Sequence, residues 1–579
     1  MLQVHSHQRQ DLNIGDIFRK RVAKHPNKIC FIFEDKEWTF AQVEEYSNKI
    51  ANVFKNHGYQ KGDTIGLMME NRPEYVCIWL GLSKLGVITP LINFNLRHHA
   101  LVHSIKVGNC QALIFSNEFT EAVKDVSSSL PSDITLYRWS PVSNNETVGL
   151  EEKNLTTLID EASSSPPAVT QKVGYNDRLL YIYTSGTTGL PKAAIISHSR
   201  FVYVAAAMAW VVGFRADDRF YIALPLYHTA GGVMGVGQAL IYGSCVVIRR
   251  KFSASAYISD IKKYECTIAQ YIGEMCRYIL AVPPKPEDKQ HKLRLIYGNG
   301  LRPQIWTAFV ERFNIPRVAE FYGATEGNAN IVNFDNKVGS IGFVSRILPS
   351  FYPIAIIRVD PQTGDPLRDA KGLCIQCKPG EPGVFIGKIN PHNPTRAFLG
   401  YVNEEESRKK IIYDVLSKGD SAFISGDLVV ADEFGYLFFK DRTGDTFRWK
   451  GENVSTSEVE AVISNLVDYR DATVYGVEAS FEGRAGMAAI VDLDDSLNLM
   501  TLAEGLKKSL PSYARPMFIR IVRKVDMTGT FKLKKLDLQR DGFDPVQIKD
   551  KLYYLNSSQA YECLTEEIYN HILSGKIRL

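Results

Sequence analysis

Apolar positions in the first part of the chain switch between short unbroken runs and helical spacing. Val43, Tyr46, Ile50, Val53 and Phe54 recur every three or four residues behind a Thr39–Gln42 capping pair, and Gly58 follows. That spacing predicts an amphipathic helix. Apolar runs at 64–69, 86–92 and 112–116 predict buried strands, with a helix over 73–85 between the first two. Strand, helix, strand is the rhythm of a parallel sheet flanked by helices. Roughly fifty residues after Ser116 lose the rhythm and hold Ser143-Asn144-Asn145-Glu146 and Ser163-Ser164-Ser165-Pro166-Pro167; they are expected to form a surface excursion.

The rhythm resumes with runs at 179–183, 193–196, 243–250, 267–272, 293–297 and 318–322, and a helix over 303–313. Two of these runs end in glycine loops, Gly298-Asn299-Gly300 and Gly323-Ala324-Thr325-Glu326-Gly327. Loops at the carboxyl ends of strands are where ligands sit in an open α/β sheet. From 335 to 441 the runs shorten (339–343, 354–359, 372–378, 383–389, 423–432, 436–440), which predicts a small β-barrel or antiparallel sheet. Asp441 to Asp445 is expected to turn. Beyond it a helix capped at Ser455 or Ser457, strands at 472–477 and 487–493, a helix over 502–510 and a last strand at 517–522 predict an α+β module. The expected fold is α/β. A large N-terminal domain, 1–440, has parallel-type sheets flanked by helices plus the small barrel. A hinge, 441–445, leads to a smaller mobile α+β domain, 446–579.

Composition narrows the function. A chain of 579 residues with 45% apolar and 23% charged residues is globular and too long for one ordinary domain. A net charge of +4 on that length gives no ground for a nucleic-acid partner. The nine cysteines are scattered, and the pair Cys374/Cys377 has no second pair to complete a zinc site, so reduced thiols and a reducing compartment are expected. The polar, histidine-rich start predicts no signal peptide. No apolar run reaches the roughly 18 residues of a membrane helix. The nearest, Tyr221 to Ile248, is broken by Pro225, His228 and several glycines and is expected to be buried core or a pocket wall.

Thr184-Ser185-Gly186-Thr187-Thr188-Gly189-Leu190-Pro191-Lys192 stands between two of the apolar runs. Glycines there let backbone N–H groups turn inward and the hydroxyls add donors, a concave anion site suited to a triphosphate. It is not a Walker A loop, because Lys192 follows a proline and precedes Ala193 rather than Ser or Thr.

Four motifs in order carry a resemblance: YTSGTTGLPK from Tyr183, YGATE from Tyr322, SGD from Ser425 and DRTGD from Asp441. Together they resemble the adenylate-forming superfamily. DRTGDTFRWKGENVST from Asp441 and GNGLRPQIW from Gly298 are similar to the fatty acid transport protein (very-long-chain acyl-CoA synthetase) family. The resemblance implies a two-step ligase that makes acyl-AMP from a carboxylate and Mg·ATP, then passes the acyl group to CoA.

It also implies roles. Thr184, Ser185, Gly186, Thr187, Thr188, Gly189 and Lys192 would hold the β- and γ-phosphates, Glu326 would reach Mg²⁺, and Thr325 would donate to the α-phosphate. Gly298, Asn299, Gly300, Tyr322 and Gly323 would frame the adenine, while Asp427 and Arg442 would take the ribose. His228 would gate the acyl tunnel, Gly444 would be the hinge and Gly451 would line the pantetheine tunnel, with Arg448 and Lys450 open as either CoA contacts or solvated cations. Lys532, in Thr528-Gly529-Thr530-Phe531-Lys532, would be the adenylation lysine. The implied substrates are ATP, CoA and a long- or very-long-chain fatty acid, with Mg²⁺ as cofactor. The implied setting is peripheral contact with the cytosolic face of the endoplasmic reticulum or plasma membrane, and a homodimer is compatible with it. A fatty acid carrier with little ligase activity, or a ligase for another carboxylic acid, stays open as the alternative.

Overall fold

A computed structural model describes the chain except Met1 and residues 143–148, 186–189, 349–351, 361–362, 394–395, 443–444, 451, 481–482 and 529–532. Its first sheet has seven strands in the order Glu152–Asn154, Thr135–Trp139, Ala112–Ser116, Ile65–Met68, Thr89–Leu91, Arg178–Ser185, Pro191–Ser197. All neighbours are parallel except the last pair, a hairpin. Helix Phe40–Asn56 carries the expected capping box at Thr39 and Gln42. It packs on helix Pro73–Leu85 at Gly81, where a Cβ would lie 2.5 Å from the Ser47 carbonyl oxygen.

The expected surface excursion after Ser116 is corrected here. Thr135–Trp139 pairs in parallel with Ala112–Ser116, and Glu152–Asn154 extends the same edge. Tyr137 and Trp139 are buried in the main core, so these short strands form because aromatic residues have a sheet face to cover.

The second sheet has eight strands: Asn330–Asn333, Val318–Gly323, Leu295–Asn299, Ile268–Ile272, Arg219–Ile222, Cys245–Ile248, Ile29–Phe33 and Lys36–Thr39. Only its two outermost pairs are antiparallel. Leu295–Asn299 and Val318–Gly323 are parallel neighbours, so both glycine loops leave the same edge side by side.

A six-stranded antiparallel sheet follows, built on Ser421–Ala431 paired to Pro382–Lys388 and Tyr436–Arg442. The strand expected at 372–378 is only a pair of isolated bridges, Arg368 with Cys374 and Ile357 with Gln376. Asp441 and Arg442, expected to turn, end a strand instead.

A separate core running from Phe447 to Ile572 belongs to a C-terminal α+β domain. Its seven-stranded sheet does not end at Phe518–Val522; Lys551–Leu555 and Tyr561–Cys563 add two further antiparallel strands. Among the described residues no helix is long and apolar enough to cross a membrane, and the nine cysteines are free thiols.

Candidate functional site

The hairpin Arg178–Ser185/Pro191–Ser197 sets Thr184 directly across from Lys192. Gly186, Thr187, Thr188 and Gly189 between them, and the side chain of Ser185, lie outside the described residues. Lys192 is mostly buried and forms an ion pair with Glu406. Its ammonium also stands 5.9 Å from the ring centre of Tyr401, within cation–π reach. The Tyr401 hydroxyl donates to Glu326 Oε1 at 2.8 Å. Desolvation and the Glu326 carboxylate push that phenol well above its ordinary range, so it is a donor at neutral pH.

Glu326 is fixed from behind. Arg200, buried in the first turn of helix His198–Val212, donates to the Gly327 carbonyl. Burial pulls this guanidinium down to about 10, while Glu326 pushes the other way. Beside Glu326, the Thr325 and Thr229 hydroxyls are 3.2 Å apart. Thr229 opens a π-helical turn, Thr229–Gly235, and His228 immediately precedes it, half-buried with its ring 4.5 Å from that of Tyr227.

The second cluster lies where the eight-stranded sheet meets the antiparallel one. The Tyr322 hydroxyl donates to Asp427 Oδ2 at 2.6 Å, and Arg442 Nε approaches Asp427 Oδ1 at 3.5 Å. Asp427 and Arg442 are cross-strand partners, and the Asp427 amide donates to Ser425 Oγ. The Tyr322 ring packs edge-on against Phe385, 4.9 Å away. Gly323 lies so close to Asn330 that a Cβ would fall 2.0 Å from its Oδ1.

Gly298, Asn299 and Gly300 continue strand Leu295–Asn299 into a tight turn with Gly300 at φ +80°. Beneath the turn lies Glu320, fully buried. It accepts from Tyr271 Oη and from the amides of Gly300 and Leu301. Burial raises its carboxyl to about 8, although those three donors pull it down.

The same loop, Tyr322 to Asn328, therefore carries Glu326 toward the hairpin Arg178–Ser185/Pro191–Ser197 and Tyr322 toward Asp427. Asn328 pins it to the antiparallel sheet through the Lys388 and Arg396 carbonyls, both at 2.9 Å. Lys532, Gly444 and Gly451 lie outside the described residues. Lys535, near Lys532 in sequence, is paired to Glu460 at 2.8 Å, and Lys450 donates to the Leu579 carbonyl at 2.6 Å.

Among the described residues no cluster of three or more His, Cys, Asp or Glu could hold a metal ion. One carboxylate, Glu326, flanked by hydroxyls is a donor set that a Mg²⁺ ion carried by phosphate oxygens accepts. A zinc or iron site would need more protein ligands.

Motif reasoning did not find Tyr401, Arg200, Glu406 or Glu320. Glu320 had a readable signal, a carboxylate inside the buried apolar run 318–322. The others carry none, because only the fold brings them to the hairpin.

Comparison with known proteins places this geometry. The AMP-binding enzyme family matches residues 18–384, and the AMP-binding enzyme C-terminal domain matches 458–532. Long-chain fatty acid transport protein 1 of Mus musculus is 47% identical over all of this chain and 90% of its own length. In three dimensions the chain is similar to the O-succinylbenzoate coenzyme A synthetase MenE of Bacillus subtilis solved with ATP and magnesium ion. That match has a TM-score of 0.72 at 24% identity, covering 91% of this chain and 99% of the other. It is also similar to a Mycobacterium tuberculosis fatty acyl CoA synthetase, with a TM-score of 0.63 at 22% identity over 91% and 98% of the two chains. These matches show the adenylate-forming fold, and the chain belongs to the fatty acid transport protein family of AMP-binding enzymes.

Proposed function

We propose that this protein is a long- or very-long-chain fatty acyl-CoA synthetase that couples fatty acid uptake to activation. A carboxylate oxygen attacks the α-phosphorus of ATP, the bond to pyrophosphate breaks, and acyl-AMP forms. The thiolate sulfur of CoA then attacks the acyl carbonyl, and AMP leaves. The observation that carries this is the loop Tyr322–Asn328, which joins a phosphate-type cluster (Thr184, Lys192, Glu326) to a ribose-type cluster (Tyr322, Asp427, Arg442).

In this reading Lys192 and the hairpin hold the leaving pyrophosphate, and Thr325 donates to the α-phosphate. Glu326 would hold Mg²⁺ together with phosphate oxygens, and the ion, when bound, would supply positive charge to offset what builds on them. Asp427 accepts from the ribose hydroxyls with Arg442 beside it, while Gly298, Asn299, Gly300, Tyr322 and Gly323 frame the adenine. His228 gates the acyl path. Lys532 approaches from the C-terminal domain for the first step, Gly444 within 441–445 absorbs the domain rotation, and Gly451 leaves room for pantetheine. The similarity to long-chain fatty acid transport protein 1 supports a fatty acid as the acyl donor and peripheral contact with a cytosolic membrane face.

The test is AMP release with ATP, CoA and saturated acids of increasing chain length. AMP formation that grows with chain length is the expected result. No AMP with any fatty acid would leave a carrier, and AMP only with aromatic acids would move the protein to another acid-thiol ligase.

A further inference from the structure

Segment Gly400–Arg408 runs along the free edge of the phosphate hairpin. The Ile195 amide donates to the Gly400 carbonyl at 3.0 Å and the Val402 amide to the Ala193 carbonyl at 2.9 Å. Tyr401 therefore sits across from Ala194 in an antiparallel bridge. The bonds flank that pair rather than join it, so its side chains stand at the closer of the two cross-strand spacings. Ala194 and Lys192 share a face of their strand, which brings the Tyr401 ring beside the Lys192 ammonium. The backbone at this point is locked. The Tyr401 amide donates to Ser407 Oγ at 2.8 Å, and Gly400, at φ +68°, could not carry a Cβ without meeting that oxygen at 2.5 Å.

From this fixed position one side chain touches two candidate site residues that the sequence separates widely. Its ring faces Lys192, and its hydroxyl bonds Glu326 Oε1. Glu406, on the helical turn Glu404–Arg408 of the same segment, pairs with Lys192 from another side and with Lys409 at 2.8 Å. We propose that Tyr401 is a positioning residue of the triphosphate site. It clamps the Glu326 carboxylate and the Lys192 ammonium at one separation, so that a Mg²⁺-bearing polyphosphate meets both at once. This rests on the nucleotide roles proposed above for Lys192 and Glu326.

Glu406 acts in the opposite sense, because its carboxylate and a phosphate oxygen compete for the same ammonium. The two residues therefore predict opposite signs. Tyr401→Phe keeps the ring and removes the hydroxyl that holds Glu326, a charge-assisted hydrogen bond whose loss is felt as about tenfold. The calorimetric Kd for Mg·ATP and the KM for ATP are expected to rise about tenfold, and half-saturation by free Mg²⁺ to move upward. The KM values for fatty acid and CoA are expected to hold within about twofold. Glu406→Gln is expected to lower the Kd for Mg·ATP by a few fold, since the amide no longer neutralises Lys192. A Tyr401→Phe protein that binds Mg·ATP within twofold of wild type overturns the proposal, as does a shift of both variants in the same direction. A wild-type protein that binds no Mg·ATP and releases no AMP instead brings down the nucleotide reading itself.

Discussion

Tyr322 and Asp427, 105 residues apart in sequence, are joined by a hydrogen bond of 2.6 Å from the phenol to the carboxylate. It ties the carboxyl end of a parallel strand to the antiparallel sheet at the seam where the proposed ribose site lies. The bond fixes Asp427 through one oxygen and leaves the other to Arg442, 3.5 Å away. Replacing Asp427 by Ala removes the proposed ribose acceptor and leaves Tyr322 without its partner. Hydrogen bonds to a charged group contribute about 1.5–3 kcal/mol each, so kcat/KM for ATP is expected to fall about 100-fold. Tyr322→Phe keeps the carboxylate and is expected to cost about tenfold. Steady-state AMP release against ATP concentration reads both, and an Asp427→Ala enzyme with an unchanged KM for ATP would remove Asp427 from the nucleotide site.

Glu320 makes stability depend on pH. Its carboxyl is raised from an ordinary 4.5 to about 8 by burial beneath the Gly298–Gly300 turn. A group whose folded value lies above its unfolded value contributes its stability in full below the unfolded value. That contribution is lost as pH rises through the folded value. The protein is therefore expected to lose thermal stability steadily from about pH 5 to about pH 8, on the order of a few kcal/mol in total. In Glu320→Gln the loss over that window is expected to flatten, because the amide cannot ionise but can still accept from the Gly300 and Leu301 amides. Melting curves of the two proteins at half-unit pH steps decide it; parallel slopes would show that Glu320 does not carry the dependence.

The sequence spoke most clearly where one short segment decides its own structure. The Thr39 capping box, the helix at 73–85 and the two strand-end glycine loops depend on neighbours a few residues away, and they were legible. Thr135–Trp139 was not, because its place on a sheet edge is set by Ala112–Ser116 and by the core its aromatics cover. Strands Lys551–Leu555 and Tyr561–Cys563 were missed for the same reason: each exists by pairing, not by a strong local pattern. In the site, Glu326 and Asp427 sit within compact motifs. Tyr401 reaches Glu326 only through an edge pairing with Ala194, which spacing along the chain does not record.

In the proposed reaction Lys532 serves the first half-reaction alone, so its loss is expected to separate the two. One ammonium aimed at charge that builds in the transition state is worth on the order of 10²–10³ in rate. Lys532→Ala is expected to cut fatty-acid-dependent ATP–pyrophosphate exchange by that factor. CoA thioester formation from supplied acyl-AMP should stay within a few fold of wild type. Equal losses in both assays would mean that Lys532 supports the fold or both steps rather than acyl-AMP formation alone.

The C-terminal domain is held to the large one in part through Arg277. Arg277, almost wholly buried on helix Gly273–Ala281 of the large domain, donates to the Tyr469 carbonyl and to Asp471 of the small one. Tyr278 Oη adds a bond to Asp471 at 2.9 Å. Nearby, Arg302 reaches Glu460 at 3.5 Å, so polar groups make much of the contact among the described residues, with Tyr469 packed beside them on a core of the large domain. Interfaces of this kind open more readily than apolar ones. Asp471→Asn removes the charge that Arg277 grips but leaves Arg277 its pair with Glu274 at 2.7 Å, so the variant is expected to fold with a melting temperature within about 2 °C of wild type. The weakened contact should show in the junction at 441–445. Cleavage there by a low concentration of protease is expected to run several-fold faster, because proteolysis tracks the population of the opened form. If cleavage at the junction is unchanged while Arg277→Met, which loses the bonds of Arg277 to both the Tyr469 carbonyl and Asp471, accelerates it, the hold on the small domain comes from the Tyr469 carbonyl rather than from Asp471. If neither variant accelerates it, the two domains are held elsewhere.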